Sequence, residues 1–216
     1  ALLLAISHEL RSPLTRARLH TELLPESPEV SPQRQALLRD LAEMARLISD
    51  LLESERLAGR HAALNREPTD PAALAREVID ELATTQPDAS RVVLHADEGL
   101  PAMALDRVRM RLLLRNLLDN ALRHSSDAAL PPEVHVRRAG QGVQFDVRDH
   151  GPGVPDDQIP HLAQPFYRPD TARTRNAGGV GLGLYLCRLV AQAHGGTFAV
   201  RNAKPGLAVT VTLPSV

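Results

Sequence analysis

The sequence predicts an α+β chain: an antiparallel helical hairpin that pairs with a second copy as a four-helix bundle, then helices on one face of a mixed sheet. Three observations carry that expectation. Apolar residues recur at helical spacing over residues 1–57, the periodicity lapses over 58–69, and from residue 70 helical stretches alternate with short runs of period two. Apolar residues make up 43% of the 216 and aromatics only 2%, so the core must be aliphatic.

In the hairpin, Leu3, Leu10, Ala17 and Leu24 repeat every seven residues, with Ile6 and Leu14 beside them. Pro25, Pro28 and Pro32 break that helix. A second pattern follows through Leu37, Leu41, Met44, Ile48 and Leu51. One hairpin cannot bury both stripes by itself, which predicts a homodimer through residues 1–57. His8 sits about 160° around the helix from both Ile6 and Leu10, so it faces water, with Ser12 one turn on. Pro13 should bend the helix just beyond that patch.

Residues 58–69 read as a linker, and residues 70–216 as a second domain. Asp70-Pro71 is an N-cap followed by a first-turn proline. A helix is expected over 71–86, a strand over 91–96 and a long helix over 105–124. Strands at 134–138 and 143–148 are joined by an AGQG turn. A helix over 182–194 and two closing strands, 197–202 and 207–213, complete the chain.

Composition excludes several classes of function. Lys plus Arg (25) balance Asp plus Glu (26), so nothing in the charge favours nucleic acid. The single cysteine, Cys187, allows no internal disulfide and no thiolate metal cluster, which suits a reducing compartment. No run reaches the roughly 18 apolar residues that a membrane span needs. The opening ALLLAI is too short and lacks the cationic flank of a signal peptide. It reads as a helix already under way, so a longer parent protein is expected.

Four stretches carry chemistry. HELRSPL, residues 8–14, sets a carboxylate beside an exposed histidine. DHGPG, residues 149–153, follows a strand; its glycines let backbone approach a flat ligand, and Asp149 can accept from an exocyclic amine. GGVGLGL, residues 178–184, opens a helix and exposes backbone N–H groups to phosphate. It lacks the Gly-Lys-Ser/Thr of a Walker A loop, and no strand precedes it as in a dinucleotide fold. In NLLDNALRH, residues 116–124, Asn116 and Asn120 share a helix face. An amide oxygen there is a hard ligand suited to Mg2+. Taken singly, these stretches also fit a surface histidine, a turn, a loop before a helix and two solvated amides.

Taken together, the chain resembles the cytoplasmic core of a bacterial two-component sensor histidine kinase. HELRSPL resembles the phosphoacceptor H-box, NLLDNA (116–121) the N-box, and DHGPG the first glycine box. Pro165-Phe166-Tyr167-Arg168 resembles the F-box, and GVGLGL (179–184) the second glycine box. The five occur in the family's order. The resemblance implies a dimerising phosphotransfer hairpin joined to an α/β-sandwich ATP-binding domain of the Bergerat (GHKL) type, acting with ATP and Mg2+. It implies that His8 takes the γ-phosphoryl group, that Glu9 orients it, and that the group passes to an aspartate of a response regulator. Asp149 would read the adenine amine, flanked by Gly151 and Gly153. Asn120 would hold Mg2+ with Asn116 in support, and Arg123 and His124 would lie near phosphates or ribose. Residues 161–178 would form a mobile lid anchored by Phe166, with Arg168 and Arg173 reaching the phosphates. Gly179, Gly181, Leu182 and Gly183 would frame the phosphate loop.

The sequence departs from the family pattern at three places. Ser12 stands where Thr or Asn commonly orients the water that dephosphorylates the partner. His150 replaces the usual Asn of the first glycine box, and Pro152 stiffens that loop. His20, His61, His95, His135, His161 and His194 show no ligand spacing and read as structural or solvated. Two other readings compete with this one. Chaperone or topoisomerase ATPases of the same nucleotide fold lack an H-box hairpin upstream. A nucleotide-binding dimeric scaffold without kinase activity should have lost His8, Asn120 or Asp149, and all three are present. The resemblance further implies a parent in the inner membrane, attached through segments outside this chain, with this part in the cytoplasm.

Overall fold

The computed structural model describes residues 13–24, 27, 30–59, 63–126, 128–169 and 180–215. The chain divides into two compact units, Ala1–Gly59 and Arg60–Val216.

In the first unit, residues 13–22 are helical (α1) and Ser31–Ala58 form α2. Pro32 falls in the first turn of α2, where its missing N–H costs nothing. Arg34 ties the two helices together. Its Nε donates to the Thr21 carbonyl at 3.0 Å and its Nη2 to that of Glu22 at 2.8 Å, satisfying carbonyls at the end of α1. Leu41, Leu52 and Leu57 are buried. A different stripe stays bare: Leu37, Met44 and Leu51, seven apart, are 45%, 50% and 41% exposed. Leu19, Leu23 and Leu24 are exposed as well. Asp50 is buried beside the Arg46 guanidinium at 3.0 Å, and burial outweighs that attraction and pushes its carboxyl above the usual range.

The second unit is one helical layer on a five-stranded sheet. After β1 (Arg66–Thr69), Asp70 caps α3 (Pro71–Thr85) by accepting from the Ala72 and Ala73 N–H groups at 2.8 and 3.0 Å. A 3-10 turn (Pro87–Arg91) leads to β2 (Val93–Ala96), β3 (Met103–Asp106) and α4 (Arg107–His124). Then come β4 (Glu133–Ala139), β5 (Gly142–Arg148), a 3-10 turn (Ile159–His161), α5 (Gly183–Ala193), β6 (Thr197–Asn202) and β7 (Leu207–Leu213). The sheet runs β2-β4-β5-β7-β6; β2 pairs parallel with β4 and the other pairs are antiparallel.

Alternation explains the core. Val134, Val136, Val143, Phe145, Val147, Val211 and Leu213 turn to the buried face of the sheet. Leu74, Val78 and Leu82 of α3, Met110, Leu113, Leu114, Leu117 and Leu118 of α4, and Leu186, Cys187 and Val190 of α5 are buried in the helical layer. Each such side chain is worth about 1.5–3 kcal/mol. At the end of α5, buried His194 donates from Nδ1 to the Val190 carbonyl (2.8 Å) and accepts the Asp106 N–H on Nε2 (3.0 Å). Those partners require the neutral ring, and burial pulls its pKa below the ordinary value.

Several boundaries differ from the sequence expectation, two of them through strands not foreseen there. Residues 66–69, read as linker, form β1 and pair with β3, and the second unit starts at Arg60 rather than at residue 70. Residues 105–106 belong to β3, so the long helix starts at Arg107. Both four-residue strands are too short to show a period, and Pro68 argues against a strand. The ribbon forms from partners 34 to 40 residues apart. Among the described residues, no helix is long and apolar enough to cross a membrane.

Candidate functional site

Three loops and one helix face converge at the end of α4. Asn116 and Asn120 lie half-buried one turn apart on α4, beside its buried leucines. Asn116 Nδ2 donates back to the Leu112 carbonyl at 3.0 Å, which fixes its oxygen outward. The Asn120 amide makes no hydrogen bond among the described residues. The first residue of α5, Gly183, faces this pair: a Cβ there would come within 3.1 Å of Asn116 Oδ1 and 3.8 Å of Asn120 Nδ2. Leu182 is buried, and among the described residues no side chain caps α5, whose first N–H groups suit an anion.

The β5 strand ends in the second loop. Asp149 N–H donates to the Leu207 carbonyl at 2.9 Å, extending the β5–β7 ladder by one residue. Its Oδ1 accepts from the Gly151 N–H at 2.9 Å and the Leu207 N–H at 3.2 Å. Its Oδ2 has no hydrogen-bond partner among the described residues, in a side chain that is nearly buried. Gly151 must be glycine, because a Cβ would overlap the His124 carbonyl at the end of α4. Gly153 takes φ +72°, and a Cβ would sit 2.8 Å from Asn202 Oδ1. The loop is held from outside by Asn202, which donates to the Val154 carbonyl (2.8 Å) and accepts the Val154 N–H (3.3 Å).

The third loop closes on itself. Phe166 N–H donates to the Gly181 carbonyl at 3.1 Å, and Gly181, at φ +81°, packs against the Phe166–Tyr167 backbone. Phe166 itself holds φ +63°, and its ring is 59% exposed. Arg168 lies in the same half-buried segment, and Arg123 and His124 are exposed at the end of α4. His8, Glu9, Ser12, Arg173 and Gly179 fall outside the described residues.

Sequence reasoning missed several positioning residues. Ser125 Oγ accepts the His150 N–H at 3.0 Å and secures the first glycine box to α4. Gly206, at φ +84°, lies directly against Asp149. Glu133 Oε1 pairs with buried His150 Nε2 at 3.2 Å and Oε2 with His135 Nε2 at 3.0 Å. The His135 hydrogen bond, ahead of that from His150, holds the Glu133 carboxyl below its usual range against the opposing effect of burial. Among the six histidines set aside on sequence, His194 is structural. His95 and His135 instead stack on each other. Apart from Glu133–His135, two apart on one strand face, these pairings join residues distant in sequence and have no local pattern.

Comparison with known proteins follows the same division. Residues 105–216 match the histidine kinase-, DNA gyrase B-, and HSP90-like ATPase family. Residues 1–60 match the His Kinase A (phospho-acceptor) domain. The chain is 35% identical over 225 residues to the signal transduction histidine-protein kinase AfsQ2 of Streptomyces coelicolor, covering 97% of this chain and 40% of that protein. It is 29% identical over 216 residues to the sensor histidine kinase WalK of Bacillus subtilis, covering 97% and 35%. It thus spans well under half the length of these relatives. The crystal structure of full-length ShkA in complex with AMPPNP superposes with a TM-score of 0.82 at 25% identity, covering all of this chain and 46% of that one.

Proposed function

The chain belongs to the sensor histidine kinase family, and from that premise we propose that it is an ATP-dependent protein-histidine kinase that phosphorylates its own His8 and passes the group to an aspartate of a response regulator. The observation that carries this reading is the union, in one chain, of a phosphoacceptor domain and an ATPase domain with a built nucleotide cradle.

The residues fit a nucleotide and its cation. Glycine is required at 151, where a Cβ would overlap the His124 carbonyl, and at 183 a Cβ would press on Asn116 Oδ1; this spareness suits a flat base and phosphate. Asp149 has a nearly buried oxygen to spare, the acceptor an adenine amine needs. Asn120, with an unengaged amide, would hold Mg2+, and Asn116 would support it. Open N–H groups at the start of α5 would take phosphate oxygens, with Gly181 and Leu182 setting the loop's path. Arg123, His124, Arg168 and Arg173 supply positive or polar groups toward the phosphates. Bound ATP supplies the transferable γ-phosphoryl group.

His8 provides the nucleophile. With an ordinary pKa of about 6.5, much of its imidazole is neutral at pH 7. Glu9 accepts a hydrogen bond from the other ring nitrogen, fixing the tautomer and balancing the charge that develops as the N–P bond forms and the bond to ADP breaks. The Ser12 hydroxyl stands four residues after His8, where it would orient a water that dephosphorylates the response regulator. The bare Leu37-Met44-Leu51 stripe supports dimerisation through the hairpin. We extend the same proposal to a membrane-anchored parent with this core on its cytoplasmic side.

Incubation with γ-labelled ATP and Mg2+ tests the reaction class. Label stable in base and lost in acid is the expected result. Acid-stable label, or no label on a dimer that binds nucleotide, would overturn the kinase reading.

A further inference from the structure

Away from the cradle, the outer face of the sheet carries a second set of ligand-type side chains. The parallel register of β2 and β4 sets His95 opposite His135. Glu133 precedes His135 by two positions, so both project from the same face. The two imidazoles stack, with centroids 4.6 Å apart and planes 15° apart. His95, Glu133 and His135 each offer one ligand atom, and all three atoms lie within 4.8 Å of one another.

These distances suit a small ion. Two ligands of a tetrahedral centre with bonds of about 2.0–2.1 Å stand about 3.3 Å apart. His135 Nε2 and Glu133 Oε2, 3.0 Å apart, already span such an edge. His95 is exposed and free of backbone restraint on its ring, so a side-chain rotation brings its nitrogen into the same range.

A second, independent feature lies behind the carboxylate. His150, whose side chain is only 3% exposed, holds Glu133 Oε1 at 3.2 Å, leaving Oε2 for the cluster. Its buried Nδ1 has no partner among the described residues. Protein metal sites are commonly built this way, with an outer group orienting the inner ligand.

We propose that His95, Glu133 and His135 form a binding site for a divalent transition metal of the zinc class, with His150 positioning the carboxylate. Two imidazoles and one carboxylate suit Zn2+, whereas Mg2+ prefers oxygen ligands alone. The ion takes the place of the proton now shared by His135 Nε2 and Glu133 Oε2; the exposed Arg137, which approaches His135 Nδ1 at 3.1 Å, turns aside as that nitrogen gains the ring proton. A fourth position stays open to water. Because His150 follows Asp149 directly, the site adjoins the nucleotide loop, but its existence does not depend on kinase activity.

Calorimetric titration of the 216-residue chain with Zn2+ in excess Mg2+ tests this, with Co2+ absorption as a second probe. Wild type should bind one Zn2+ per chain at this site and give the visible bands of a low-coordinate Co2+ centre. His95→Ala and Glu133→Gln should each lose both signals, and His95→Ala, remote from the nucleotide loop, should retain ADP affinity. His150→Asn should weaken Zn2+ binding by about 10- to 100-fold, as outer-shell changes do. Absence of Zn2+ binding by wild type, or equal binding by wild type, His95→Ala and Glu133→Gln, would overturn the proposal.

Discussion

Replacing Asp149 with Asn isolates what its second oxygen does. The side chains are the same size, and Asn keeps one oxygen to accept from the Gly151 and Leu207 N–H groups, now at 2.9 and 3.2 Å. Those two bonds lose only their charge assistance, a cost of about 1–2 kcal/mol in stability. For a chain of this size that lowers Tm by about 2–8 °C. The amide NH2, however, then stands where Oδ2 stood and points a donor at the adenine amine, itself a donor. Losing a hydrogen bond to a charged acceptor costs about 1.5–3 kcal/mol, or about 10- to 140-fold in affinity. Calorimetric titration with ADP reads the affinity, and a thermal melt reads the fold. A Kd within about threefold of wild type in a folded variant would refute the assignment of Oδ2 to the base.

Other outcomes follow from the same contacts. Gly206→Ala places a methyl onto the Asp149 carbonyl and within 2.7 Å of Oδ1, at a φ of +84°; strain of about 1–3 kcal/mol plus disrupted Asp149–Leu207 bonds should lower Tm by several degrees and weaken ADP binding, whereas an unchanged melt would contradict the packing. His194 has a folded pKa below its unfolded value of about 6.5, so the unfolded chain binds the extra proton first; the stability present above pH ~6.5 should drain as pH falls, and melts of His194→Gln should show a shallower decline. An equal decline in both proteins would rule out His194 as the cause. Met44→Glu puts a charge in the middle of the bare stripe and should convert the dimer to monomer by light scattering, with the second unit's melt unaltered; a persistent dimer would move the interface elsewhere.

Much of this molecule is written locally. Strands β6 and β7 match their expected residues, and α3 and α5 differ from expectation only at their ends, because period-two runs, an Asp-Pro cap and an apolar helix are short-range signals. The candidate cradle stands out for a related reason: glycines that admit backbone or ligand, and amides on a buried helix, are conspicuous residue choices. What escaped depends on register. The β1–β3 ribbon, the support of Asp149 by Gly206 and Leu207, and the Glu133 link between His135 and His150 join residues far apart in the chain. Nor does the sequence show that Phe166 keeps its ring exposed while its N–H bonds the Gly181 carbonyl.

The most direct test of the central claim is the identity of the phosphoacceptor. Wild type and His8→Ala should be compared in the γ-labelled ATP assay, with ADP affinity and dimer mass measured on both. The account predicts equal nucleotide affinity, equal mass and label on wild type alone. Undiminished acid-labile label on His8→Ala would contradict it and move the acceptor to another histidine.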